Sequence, residues 1–217
     1  MKTGFMKKYF LLSLLSVIYL YGCQKESVSN DPPVNGSPLQ DLKNVQYGTN
    51  KDTAGNNVSL MFDIYFPGGA TTANKYPLAM LIHGGSYKGG DKGGLSAECE
   101  QLADSGFVAV SLNYRLGWRS GSNCSGDSTS LNDAIYRALQ DANAALRFLI
   151  SKANEYTIDT SNLFIGGQSA GGNLALNVVY FTEAIAQTRY ASQWSRLGNI
   201  NNAGNSYTAT FRIKAIC

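Results

Sequence analysis

The chain has 217 residues, with 18 lysines and arginines against 15 aspartates and glutamates, for a formal net charge of +3. Three of the basic residues, Lys2, Lys7 and Lys8, lie in the first 22 residues, which contain no acidic residue, so the rest of the chain is formally neutral. A nucleic-acid-binding surface needs a clustered basic excess, and this balance argues against one. A single histidine and the lack of any Cys-x-x-Cys pair argue against a protein-bound metal. No cofactor is predicted.

The N-terminus has the three parts of a secretory signal. Basic residues precede an apolar stretch at residues 9–21, which is shorter than the about 20 apolar residues that a membrane-spanning helix needs. Leu20-Tyr21-Gly22-Cys23 resembles the lipobox of bacterial lipoproteins, which implies a signal peptide at residues 1–22 and a lipid on Cys23. That interpretation predicts an exported protein held to a membrane on its periplasmic or cell-surface side. An ordinary secretory signal with an incidental cysteine remains the alternative.

Residues 23–40 separate this signal from the body of the chain. They are polar and contain Pro32-Pro33, Gly36 and Pro38, a composition typical of a flexible tether. From residue 41 onward the sequence changes to alternating strand and helix patterns. We therefore expect one folded domain at residues 41–217.

The remaining cysteines are Cys99, Cys124 and Cys217, an odd number for an oxidising compartment. Cys99 shares the apolar face of a short helical pattern with leucines and an alanine. This placement favours a buried free thiol slightly over a bridge between Cys99 and Cys124. Cys217 is the last residue of the sequence, and the sequence does not indicate a disulfide partner for it.

The domain alternates strand and helix patterns along its length. Ser130 followed three residues later by Asp133 forms a capping-box signature for the clearest helix. Aspartates on this helix, including Asp141, are interpreted as solvated. Alternation of this kind predicts an α/β fold with a mostly parallel, doubly wound sheet. In chain order we predict strands at 58–66 and 76–82, a helix at 94–105, a strand at 107–114, a helix at about 130–152, a strand at 163–166, a helix from 170 to about 184, a polar loop at 187–206 and a strand at 207–216.

Gly167-Gln168-Ser169-Ala170-Gly171 lies between the strand at 163–166 and the next helix, which is the context of a nucleophile elbow. There a serine occupies a strained turn at the end of a parallel strand. The flanking glycines fit because such a turn crowds any neighbouring Cβ. A second motif, His83-Gly84-Gly85-Ser86, directly follows the strand at 76–82. Together the two motifs predict ester chemistry, with Ser169 as the candidate nucleophile.

With Asn113-Tyr114-Arg115-Leu116 between them, these motifs resemble the α/β-hydrolases of the carboxylesterase and hormone-sensitive-lipase-like kind. The resemblance covers roughly residues 41–217. It implies an α/β-hydrolase fold and an oxyanion hole formed by the backbone N–H groups of Gly84, Gly85 and Ala170. Ser86 departs from the third glycine of many relatives. Tyr114 and Trp118 are equally compatible with a substrate pocket and with the core.

The sequence offers no clear candidates for the acid and the base of a catalytic triad. In this fold the order along the chain is serine, acid, histidine. Beyond Ser169 the sequence has no histidine and one acid, Glu183, which a continuous helix would carry roughly 20 Å away at about 1.5 Å per residue. His83 belongs to the oxyanion loop and is not expected to be the base. The simplest expectation is a C-terminally truncated hydrolase that is poorly active alone.

Three functions follow. The first is a serine carboxylesterase acting on a small-molecule or polysaccharide-linked ester with a short acyl group, such as acetyl or feruloyl. A serine peptidase of the same fold is a related alternative. A non-catalytic binding lipoprotein that kept the hydrolase scaffold belongs to a different class. The missing histidine favours this last function, whereas the retained Ser169 and oxyanion loop argue for an enzyme.

Overall fold

The computed structural model of the protein describes residues 36–121 and 126–217. Cys23, with the predicted signal and most of the tether, lies outside the described residues, as does Cys124. Within the described residues, no helix has both the length and the apolar character needed to cross a membrane. The strands are β1 Leu42–Lys51, β2 Asn57–Tyr65, β3 Tyr76–Ile82, β4 Val108–Leu112, β5 Ile158–Gly167 and β6 Ile213–Ile216, and the helices are α1 Ser96–Asp104, α2 Ser128–Ser151, α3 Ala170–Tyr180, α4 Glu183–Arg189 and α5 Ala191–Leu197.

One six-stranded sheet organises the fold, with the strand order β1-β2-β4-β3-β5-β6. The first two pairings, β1 with β2 and β2 with β4, are antiparallel, and the other three are parallel. Helices cover both faces, because α1 packs with Cys99 and Ala103 on one apolar cluster while α2 and α3 bury a larger cluster on the other face. The prediction of a mostly parallel α/β sheet is confirmed.

Several element predictions are confirmed and others are wrong. The strand predicted at 76–82 is β3, and a buried strand enters the elbow as expected. The sequence pattern missed β1, because this strand is polar along most of its length and has only two buried residues, Val45 and Tyr47. The helix predicted to run to about residue 184 ends at Tyr180, and Thr182 caps a separate helix, α4. The predicted polar loop at 187–206 contains the end of α4 and all of α5.

The N-terminal cap of α2 differs from the prediction. Asp127, not Ser130, is the capping residue, and its carboxylate accepts hydrogen bonds from the N–H groups of Thr129 and Ser130 at 3.0 and 3.1 Å. Asp133 does not complete a capping box, because its carboxylate accepts from Arg196 and from Gln193 instead. Asp133 therefore ties α2 to α5.

Asp141 corrects a second expectation about α2, since it is fully buried rather than solvated. Its carboxylate accepts hydrogen bonds from the backbone N–H of Arg115 at 2.8 Å and from Nε of the same arginine at 2.9 Å. The Arg115 guanidinium also donates to the carbonyl of Lys51 and to Gln140. This network fastens the segment after β4 to α2 and to the end of β1.

The cysteines and the outer strand complete the fold. Cys99 is a buried free thiol, as favoured from its helical position, and burial raises its pKa to about 12. Cys217 is also a free thiol and is exposed. In the described part of the chain β6 is an outer strand of the sheet and pairs with β5. The expectation of a C-terminally truncated hydrolase stays a prediction.

Candidate active site

Ser169 lies on the turn that joins the end of β5 to the start of α3. Its φ of 52° and ψ of −113° place a non-glycine residue in a sparsely populated region of backbone conformation, at a cost of about 1–3 kcal/mol. The residue is exposed, while the adjacent Ala170 is buried. A strained, exposed serine between a strand and a helix is the geometry predicted for a nucleophile elbow.

Close backbone packing explains the glycines of this turn. A Cβ atom on Gly167 would lie 2.5 Å from the carbonyl carbon of Gly171 and 2.7 Å from the carbonyl oxygen of Ile82. A Cβ atom on Gly171 would overlap that same oxygen. The N–H of Gln168 donates to it at 3.1 Å. The end of β3 and the start of α3 are thus in direct backbone contact, which fixes the position of Ser169.

The loop after β3 lies beside the nucleophile. A Cβ atom on Gly84 would be 2.9 Å from the carbonyl oxygen of Gln168 and 3.4 Å from Cβ of Ser169. Three consecutive residues then have a left-handed backbone, with φ values of 108° at Gly85, 54° at Ser86 and 57° at Tyr87. Ser86 therefore adopts a left-handed conformation that favours glycine. The structure brings the predicted oxyanion loop and the predicted nucleophile together.

His83 orients this loop. Its Nδ1 lies 2.7 Å from the carbonyl oxygen of Gly84, and because a carbonyl oxygen can only accept, Nδ1 carries the proton. In a planar trans peptide the N–H of Gly85 points opposite to that carbonyl, away from the imidazole. Burial lowers the pKa of His83, although the bond to Gly84 and the charge of Asp91 partly offset this effect. The imidazole thus contacts the loop through Nδ1, and the expectation that it is not the base stays a prediction.

The Asn113-Tyr114-Arg115 segment packs against His83. The Tyr114 ring stacks on the imidazole with centroids 4.4 Å apart, and its hydroxyl donates to the His83 carbonyl at 3.0 Å. Asn113 accepts from the N–H of Lys92 and donates to Asp91. Tyr114 is nearly completely buried and is both a core aromatic and one wall of a cavity of about 210 Å³ that also contacts His83.

Sequence reasoning missed Tyr87, which joins the oxyanion loop to the elbow helix. Its hydroxyl donates to Oδ1 of Asn173 at 2.7 Å, and Asn173 also accepts from Nδ2 of Asn177 on the next turn of α3. The side chain is buried, and burial raises the pKa of the phenol. A lone aromatic residue in a glycine-rich loop was the available signal.

The acid and base of a triad are not supplied by the described residues. Among residues 36–121 and 126–217, no histidine or carboxylate forms a hydrogen bond with the Ser169 hydroxyl. Glu183 begins α4 rather than continuing α3, and it accepts from Nε1 of Trp194 and from the N–H of Ile200. Its carboxylate therefore holds α5 and the following loop.

The chain is similar to one protein family and to esterases of known structure. The BD-FAE family matches residues 62–217. The esterase Est2 of the planctomycete Thermogutta terrifontis has a similar structure, with a TM-score of 0.50 and 26% identity over 66% of this chain and 44% of that one. Its propionate-bound form aligns with a TM-score of 0.52 at 21% identity over 83% of this chain and 71% of that one, a likeness in fold.

The curated relatives are much longer proteins. The non-reducing polyketide synthase adrD of Penicillium rubens is 30% identical over 160 residues, which are 70% of this chain and 6% of the synthase. The non-reducing polyketide synthase nvfA of Aspergillus novofumigatus is 32% identical over 148 residues, again 6% of its length. The chain thus spans a small part of these relatives and less than half of the native Est2 chain. Since the family match covers most of its residues, the chain belongs to the BD-FAE family, and its fold is that of an α/β-hydrolase.

Proposed function

We propose that this protein is a serine carboxylic-ester hydrolase that acts through an acyl-enzyme on Ser169. The observation that carries the proposal is the contact between the strained elbow at Ser169 and the loop at Gly84. Membership of the BD-FAE family and the likeness to an esterase support the same chemistry. The Ser169 hydroxyl would attack the ester carbonyl, the alcohol would leave, and water would then release the acid.

The oxyanion of the tetrahedral intermediate would be bound by backbone N–H groups of Ala170, Gly84 and Gly85. Ala170 is the first residue of α3, so its N–H has no acceptor within the helix. The positive end of the helix dipole also favours negative charge at this point. The hydrogen bond from His83 to Gly84 directs the Gly85 N–H away from the imidazole. Losing one such donor typically slows an enzyme by about 100- to 1,000-fold.

The base that takes the proton from Ser169 and the acid that orients this base are proposed to lie outside the described residues. An oxyanion hole without a triad retains roughly 10³- to 10⁴-fold catalysis over water. We therefore expect this chain alone to have weak activity. The Ser169 hydroxyl donates no hydrogen bond to any described histidine or carboxylate, and this observation also favours the alternative, a non-catalytic binding protein.

A short acyl group, such as acetyl or feruloyl on a polysaccharide, is the proposed substrate type. One structure of the Thermogutta terrifontis esterase is described with butyrate bound, which supports a short acyl chain. The polysaccharide follows from the proposed export and lipid anchor at Cys23. Metabolic labelling with a palmitate analogue should be lost in Cys23→Ala, and unchanged labelling would contradict the anchor.

Hydrolysis of p-nitrophenyl acetate tests the proposed function. In the full-length protein, with the proposed base and acid present, Ser169→Ala should abolish the enzymatic rate, whereas Ser192→Ala, at an exposed serine on α5, should leave it unchanged. Equal activity of the native protein and Ser169→Ala would refute the assignment. A native protein that neither hydrolyses the ester nor becomes acetylated at Ser169 would make binding the better function. Turnover of a peptide substrate in place of the ester would indicate the peptidase alternative.

A further inference from the structure

A second polar cavity opens at the same end of the sheet as Ser169. Its volume is about 300 Å³, at the lower end of the range for small-molecule sites. It lies between the turn that joins β1 to β2, the segment after β4, the first turns of α2, and α5. The lining residues are Thr53, Gly117, Arg119, Ser130, Asp133, Arg137 and Arg196.

Positive charge exceeds negative charge in this cavity. The exposed Arg119 pairs with Asp127 at 3.2 Å, and Arg196 pairs with Asp133 at 2.7 Å. Arg137 has a side chain that is only 10% exposed, and its nearest carboxylate, that of Asp133, is 3.9 Å away. Within the described part of the chain, the Arg137 guanidinium donates no hydrogen bond. Arg137 therefore has a distant ion-pair partner in Asp133 but no hydrogen-bonded one.

Burial lowers the pKa of Arg137, and the positive charges of Arg115 and Arg196 lower it further, although the negative charges of Asp133 and Asp141 partly offset these effects. An arginine guanidinium presents planar N–H donors that match a carboxylate, and hydrogen bonds to charged groups are among the stronger ones in proteins. Arg119, from the segment after β4, and Arg196, from α5, line the same cavity. An anion in the cavity would supply the hydrogen-bonded countercharge that Asp133, which is 3.9 Å from Arg137 and paired with Arg196 at 2.7 Å, does not.

The cavity lies at the same end of the sheet as Ser169, because β2 is antiparallel to β4 and the turn between β1 and β2 is therefore at the carboxyl end of the parallel strands. In the strand order β1-β2-β4-β3-β5 this turn is three to four strand spacings from the end of β5, roughly 14–19 Å at about 4.8 Å per spacing. An ester of about that length could contact both places.

We propose that Arg137, flanked by Arg119 and Arg196, binds a carboxylate carried by the ester substrate on the side remote from its scissile bond. That the carboxylate belongs to the substrate rests on the proposed function. The anion site itself does not depend on that function. Asp133 is then a competitor for Arg137, held away from it by Arg196.

Binding of sodium glucuronate, measured by isothermal titration calorimetry, tests the site, with glucose as the probe that lacks the carboxylate. We expect glucuronate to bind and glucose not to bind. Arg137→Gln should weaken glucuronate binding by about tenfold or more, as expected for a lost charge-assisted hydrogen bond. Arg189→Gln, which removes one exposed arginine from the end of α4, is the matched control and should not change the affinity.

Asp133→Asn separates a binding role from a structural one. The asparagine keeps an acceptor for Arg196 and Gln193 but removes the competing charge, so glucuronate should bind several-fold more tightly. An unchanged or weaker affinity would overturn the proposal, as would equal binding by the native protein and Arg137→Gln. Inorganic sulfate distinguishes the source of the anion: sulfate binding tenfold tighter than glucuronate would overturn the assignment to a substrate carboxylate.

The same titration in Ser169→Ala should give the native affinity. Loss of esterase activity with retained glucuronate binding would leave the anion site standing. An active esterase that binds no glucuronate would overturn this site while leaving the proposed function intact.

Discussion

Gly84 lies against Ser169, so closely that a Cβ atom on the glycine would be 3.4 Å from Cβ of the serine and 2.9 Å from the carbonyl oxygen of Gln168. Two motifs that are 85 residues apart in the chain therefore share one surface. No side chain fits between them. The proposed oxyanion donors are the backbone N–H groups of this loop. The distance between Gly84 and Ser169 determines whether these donors can reach an oxyanion.

Gly84→Ala should increase that distance. The methyl group meets backbone atoms of the elbow, so the loop must move by several tenths of an ångström. We expect the rate of p-nitrophenyl acetate hydrolysis to fall by about 100-fold, the cost of an oxyanion donor that is displaced. Gly89→Ala is the matched control, because a Cβ atom there has no neighbour within 4 Å. Equal rates for the two variants would contradict the placement of the oxyanion hole.

Strain at Ser169 predicts a difference between two inactive variants. Glycine tolerates the φ of 52° and ψ of −113° at this position, whereas alanine does not. Ser169→Gly should therefore be about 1 kcal/mol more stable to unfolding than Ser169→Ala. On α5, Ser192→Gly should be less stable than Ser192→Ala by about the same amount, since glycine is the poorer helix former. Urea denaturation measures both pairs, and the same sign for both would argue against strain at the elbow.

His83 predicts a pH dependence of stability. Its pKa in the folded protein is below the ordinary histidine value of about 6.5, mainly because the ring is buried. Above pH 6.5 the histidine is neutral in both states, and its contribution to stability is complete. As the pH falls from 6.5 through the lowered pKa, the unfolded chain gains a proton that the folded protein does not, so the free energy of unfolding decreases.

Urea denaturation between pH 5 and 8 measures this effect. Because His83 is the only histidine in the chain, the decrease should be much smaller in His83→Gln. An identical pH profile for the two proteins would show that the imidazole is not held neutral in the folded state.

The buried pair of Arg115 and Asp141 should dominate the electrostatic contribution to stability. Asp141→Asn leaves the Arg115 guanidinium buried without a countercharge, which typically costs about 3–5 kcal/mol. Glu155→Gln removes a partly exposed partner of Lys152 and should cost less than about 1 kcal/mol. Thermal unfolding compares the two variants. A similarly small loss for both would contradict the role of Asp141 as the partner that fastens the segment after β4.

The parts of the site that could be predicted from sequence are those that depend on local patterns. The elbow and the oxyanion loop each follow a strand within a few residues, and steric crowding by backbone atoms leaves glycine as the residue that fits at Gly167 and Gly171. β3 could also be predicted, because helices cover both faces of the sheet and the strand is apolar along nearly its whole length.

The features that could not be predicted from the sequence depend mostly on contacts between residues far apart in the chain. A charged residue in an amphipathic helical pattern usually faces solvent, so the pattern predicts a solvated Asp141. Its partner Arg115 lies 26 residues earlier in the chain, and no local pattern indicates that the two pair. The hydrogen bond from Tyr87 to Asn173 spans 86 residues. β1 has a polar sequence because it pairs on one side only, with β2. The helix break after Tyr180 depends on a single capping threonine, Thr182.

The acyl-enzyme tests the central claim most directly. After a short incubation of the protein with p-nitrophenyl acetate and acid quenching, peptide mapping by mass spectrometry locates the acetyl group. We predict acetylation of the peptide that contains Ser169, no acetyl group on it in Ser169→Ala, and a lower yield in Gly84→Ala than in Gly89→Ala. An unlabelled Ser169, or equal labelling of the native protein and Gly84→Ala, would contradict a nucleophile that acts beside this oxyanion loop.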